Sequence, residues 1–167
     1  MGVRDIKAAI NAVPAKPIIA TAIAVTLLAA GWHGYTLHRI CTSRADLTTS
    51  LKQWAEGVLQ AKAASPLSEA TGDDWDEVRI AASAPAPANA TSCPFGWHWT
   101  NDERAAVAKD GHLTMLGFFK DSRLLEVADF DSRWARFDVS GDPIPRDKAV
   151  FEASNTGNAI QLTRSGD

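Results

Sequence analysis

A chain of 167 residues with 46% hydrophobic and 22% charged side chains has room for one ordinary globular core beyond its N-terminal segment, and not for a second full domain. The formal net charge is -3, and 14 basic against 19 acidic residues follow position 38, a balance that argues against nucleic-acid binding through phosphate contacts. No G-x-x-x-x-G-K-[ST], G-x-G-x-x-G or G-x-S-x-G occurs, so nucleotide hydrolysis, dinucleotide binding and serine-hydrolase chemistry have no motif to rest on.

In chain order, residues 1–16 read as a short basic tail carrying Arg4, Lys7 and Lys16. No charge occurs between Lys16 and Arg39, and the apolar run from Pro17 to Leu37 has the length of about 20 residues that a helix needs to cross a bilayer. Residues 17–38 are therefore expected to form a single transmembrane helix, with Trp32 and Tyr35 at the membrane interface and the lipid bilayer as first partner. A cleaved signal peptide is the rival reading. Leu28 fits the small-residue cleavage rule poorly, which favours a retained signal-anchor. Arg39, Arg44 and Lys52 match the upstream basic residues, so charge does not decide orientation; the N-terminal amine tips the expectation toward a C-terminal domain that is periplasmic or extracellular.

Over residues 39–64, Leu47, Leu51, Trp54 and Val58 recur at helical spacing, which predicts an amphipathic juxtamembrane helix. This helix continues the transmembrane helix, lies on the bilayer, or packs its stripe on its own domain, on a membrane or envelope protein partner, or on a second copy of the chain. Residues 65–167 are expected to be one small α+β domain: an antiparallel sheet with one packed helix, interrupted by an Ala/Pro loop near 81–92. The strand chemistry lies in WDEVRI, LTMLGFF, LLEVADF, RWARFDVS, AVFEAS and AIQLTR, separated by turns that suit a meander. Thr100 and Glu103 form a T-x-x-E capping box, and Gly111 stands where the helix they open would end.

Two features could carry chemistry. Cys41 and Cys93 lack C-x-x-C spacing; they form either a disulfide closing a long loop or two unpaired thiols. The cluster CPFGWHWT offers Cys93 and His98, with His112 further on, as a thiol nucleophile with a base or as part of a metal site, but the spacings fit no known signature. The structural alternative has Phe95, Trp97 and Trp99 pinning the helix entry. The acidic run Asp73, Asp74, Asp76 and Glu77 lacks the glycine and ligand spacing of a calcium loop, and no cofactor is expected.

The strand WDEVRI, followed by a loop, a helix and GHLTMLGFF, resembles the small domain of many bacterial membrane-anchored envelope proteins of unknown function, in which a W-D-x-V strand precedes a later Phe-bearing strand. The resemblance covers residues 73–140. It departs at Ala81-Ala82-Ser83, where a Pro-Tyr segment is common. It implies a cell-envelope location and a non-catalytic role, and it transfers no site residue. The expectation is then an anchored protein-interaction module, an accessory subunit or an exclusion or immunity factor. The alternative is an envelope thiol or metal enzyme centred on Cys93 and His98. Six tryptophans, a residue enriched at binding hot spots, favour the former.

Overall fold

A computed structural model describes residues 15–166 apart from 73, 89 and 140, with side chains described from residue 21 onward. The chain divides into two units, Met1–His38 and Arg39–Asp167, and each is treated by itself.

The first unit contains the N-terminal part of helix α1 (Ala15–Ala61). Among the described residues no helix is long and apolar enough to cross a membrane. This overturns the transmembrane span expected over 17–38, and with it the signal-anchor, the single-pass placement and the orientation built on it. The physical reason is composition. Absence of charge is not apolarity: from Thr21 on, Ile23, Val25, Leu27 and Leu28 are interrupted by Thr26 and followed by Gly31, His33, Gly34, Thr36 and His38. Residues 1–14 of the expected tail, and the side chains of Pro17 to Ala20, lie outside the described residues. Thr26 and Thr36 satisfy their hydroxyls by donating to the carbonyls of Ala22 and Trp32 at 2.9 Å, a bond that lets threonine sit inside a helix. Trp32 and Tyr35 are exposed, with ring centroids 6.4 Å apart, and lose the membrane-interface role assigned to them.

Helix α1 ends at Ala61. Lys62, at φ 51°, closes it with its amide on Val58 O at 3.0 Å.

In the second unit, Leu47, Leu51, Trp54, Ala55 and Val58 of α1 are all buried. The residues expected to meet a partner are the domain's own core, since spacing that puts them on one face suits either use. The sheet also differs from expectation: there are two four-stranded sheets instead of one meander. The first joins β1 (Ser65–Pro66), β7 (Val150–Thr156), β8 (Ala159–Arg164) and β5 (Ala135–Phe137) in that order. The second joins β4 (Arg123–Asp131), β3 (Leu113–Lys120), β2 (Glu77–Ala81) and β6 (Ile144–Pro145). All neighbours are antiparallel except β5 and β8, which run parallel with Arg136 opposite Gln161. A three-residue strand tells nothing in sequence of its distant partner, which is why this pairing was not foreseen.

Short elements also occur outside the six strand segments expected from the sequence. Residues 64–74 hold β1 and α2 (Ser68–Thr71), and the stretch 141–147 holds β6, whose Ile144 pairs with Val78. Asp121 and Ser122, both at positive φ, make the two-residue turn between β3 and β4 that matches strand twist. Asp74 pairs with Lys120 and Asp76 accepts the Asp121 amide at 2.9 Å, so the described acids of the run brace a strand end.

A single core takes side chains from α1 and from both sheets. A relay of aromatic edges crosses it: Trp54 to Phe151 at 6.1 Å, Phe151 to Phe137 at 5.3 Å, and Phe137 to Phe130 at 6.0 Å. Each fully buried large side chain contributes about 1.5–3 kcal/mol, so this shared interior is the main force joining helix and sheets.

Candidate functional site

The segment 82–100, between β2 and α3 (Asn101–Lys109), has no helix or strand among its described residues, yet it is tied down at several points. Connections this long inside a compact unit are commonly functional. At its start Ala84 donates its amide to Leu113 O at 2.8 Å. In the middle, Cys93 is bridged to Cys41 of α1, with Cα atoms 5.6 Å apart. Arg44, one turn further along α1, donates from Nη1 to Thr91 O at 3.4 Å. At its end the capping box forms in both directions, Thr100 Oγ1 accepting from the Glu103 amide and Glu103 accepting from the Thr100 amide.

The capped helix α3 buries only Arg104, so it docks through a guanidinium and not through an apolar stripe. Arg104 Nε donates to Asp129 Oδ2, and Nη1 donates to Asn101 Oδ1 at 3.0 Å; Nη2 is buried without a partner among the described residues. Asp129, on β4, also accepts from His98 Nε2 at 2.7 Å. All three side chains are nearly inaccessible, 6% exposed for His98, 1% for Arg104 and 2% for Asp129. Burial alone would raise the Asp129 carboxyl, but hydrogen bonds from His98 and Arg104, reinforced by charge, outweigh it and hold the group below the usual carboxylate range. Arg44 is pushed down by burial and by the charge of Arg104, against the pull of Asp129. The His98 ring is stacked on Trp99, nearly parallel at 5.9 Å between centroids.

Between these anchors the chain turns at Phe95-Gly96, both left-handed at φ 59° and 72°, and the Trp97 amide closes the turn on Pro94 O at 3.2 Å. Glycine suits that conformation; phenylalanine does not, and it adopts it only where the surroundings impose it. Phe95 is 86% exposed, its ring 5.3 Å from that of Trp97.

The residues singled out in sequence separate in space. The Cys93 sulfur is bonded to Cys41 and buried, so it is not a free nucleophile. His98 serves Asp129, whereas His112 lies with Nδ1 3.3 Å from Ser132 Oγ. No group of three or more His, Cys, Asp or Glu among the described residues is placed to hold a metal ion. Trp97 and Trp99 are half-buried at the helix entry. Sequence reasoning missed Asp129, Arg104 and Arg44. The one local signal was a carboxylate between Ala128 and Phe130 in a strand where all three are buried. Set against known proteins, the chain matches no protein-family model, no curated protein and no solved structure.

Proposed function

We propose that residues 39–167 form a non-catalytic protein-interaction module whose contact element is the Phe95-Gly96-Trp97 tip. The observation that carries this is Phe95, exposed to 86% at a left-handed φ of 59°. Leaving a phenylalanine in water forgoes about 1.5–3 kcal/mol of burial, and the backbone conformation adds strain of order 1–3 kcal/mol. A partner with an apolar pocket recovers the first term. The bridge to Cys41 and the His98–Asp129 bond hold the tip in place beforehand, which lowers the entropy lost on binding. A protruding aromatic on a preorganised loop is the kind of side chain that dominates binding energy at protein interfaces.

A photo-reactive phenylalanine analogue at position 95 tests the proposal in the native host. A discrete adduct with one other protein is expected, absent when the analogue replaces exposed Glu56, and binding of that purified protein falls at least about tenfold in Phe95→Ala. No adduct, an adduct with a second copy of this chain only, or undiminished binding by Phe95→Ala overturns it.

A further inference from the structure

A cleft of about 280 Å3 opens where the start of the 82–100 segment, the junction of α3 with β3 and the connection from β4 to β5 come together. It lies at the lower end of the about 300–1,000 Å3 range of small-molecule sites. Ser83, His112, Thr114, Ser132, Arg136 and Phe137 line it.

Its walls are fixed. The Ser132 amide donates to His112 O at 2.7 Å, the His112 amide to Val107 O at 3.0 Å, and Ser83 Oγ to Gly111 O at 2.9 Å. Arg136 donates from Nε to Ser132 O at 3.2 Å, which orients its guanidinium and, among the described residues, leaves the two Nη groups for another acceptor. The Ser132 hydroxyl and the His112 ring stand together 3.3 Å apart as further polar groups. Phe137 and exposed Ala82 supply apolar surface beside them. The neighbouring carboxylate, Asp131, whose charge also reaches His112, is engaged by the Arg133 side chain and amide. A planar guanidinium with a free fork matches a planar carboxylate, and the apolar wall suits a short organic body.

The geometry points to this cleft as a binding site for a small organic carboxylate, held by Arg136 with Ser132 and His112 beside it. Benzoate and inorganic phosphate, titrated into the full chain and followed by backbone amide chemical shifts, test the assignment. Saturable benzoate shifts are expected in residues 111–113 and 132–137. Arg136→Gln weakens them at least about tenfold, Ser132→Ala by less, and Arg123→Gln, a change at the exposed start of β4, leaves them unaltered. Absence of saturation, equal affinity in Arg136→Gln with its fold intact, or phosphate bound as tightly as benzoate would each overturn the proposal.

Discussion

Two stretches meet at the Cys41–Cys93 bridge and are held to one core by different means. Residues 39–61 of α1 bury Cys41, Leu47, Leu51, Trp54, Ala55 and Val58, so the helix is held by apolar area over several turns. Of apolar residues the segment 82–100 buries only Ala84 and Cys93 among those described, and it is held chiefly by one covalent bond, one ionic cluster through the His98 ring and one helix cap. Apolar area is lost piecemeal, whereas a clasp of this kind fails when a single member is removed. The lesson is that irregular chain can be as fixed as a helix with little hydrophobic burial, at the expense of tolerance to change.

That contrast can be broken at its polar side. Asp129→Ala leaves the Arg104 guanidinium buried without its counter-ion and is expected to destabilise the unit by about 3–5 kcal/mol, measured by urea unfolding. The same group sets an acid limit. Because its folded pKa is depressed, its stabilisation is complete above the unfolded value of about 3.9 and is lost as pH falls from there through the folded value. Asp129→Asn is therefore expected to flatten the acid side of the stability profile. An unchanged profile would place the acid sensitivity elsewhere.

The covalent link comes next. A bridge across 52 positions of sequence restrains the unfolded chain by roughly 4 kcal/mol in the loop-entropy account. Cys41→Ser with Cys93→Ser, compared with wild type by denaturant titration, is expected to show a loss of about that size. Hydrogen exchange sharpens the comparison: amides of 90–99 gain exchange on reduction before those of 47–58, and simultaneous opening would mean that both stretches form one cooperative piece. The smallest effect belongs to the cap. Thr100→Ala removes the hydroxyl that accepts from the Glu103 amide and is expected to lower stability by about 1 kcal/mol, read as a shift in the unfolding midpoint.

What the sequence disclosed followed the range of the interactions concerned. The capping box was legible because Thr100 and Glu103 lie within one turn of each other. The strand positions were legible where alternation is local, as in β2, whose Val78 and Ile80 point inward. Residues 98, 104 and 129 belong to a loop, a helix and a strand, and no local pattern marks charges that will meet in the interior. Likewise, spacing put Leu47, Leu51, Trp54 and Val58 on one face without saying which surface they would meet. The expected membrane span failed in a related way, since an uncharged run was taken for an apolar one.

The parallel pairing of β5 with β8 constrains the order in which the unit is assembled during translation. Every strand of the sheet β4-β3-β2-β6 has emerged by Pro145, and both cysteines well before that. The other sheet has β8 as an inner strand, so β5 has no strand partner until Ala159–Arg164 has been made. During that interval the edge of β5 is unpaired, and an unpaired strand edge is the kind of surface through which partly folded chains associate.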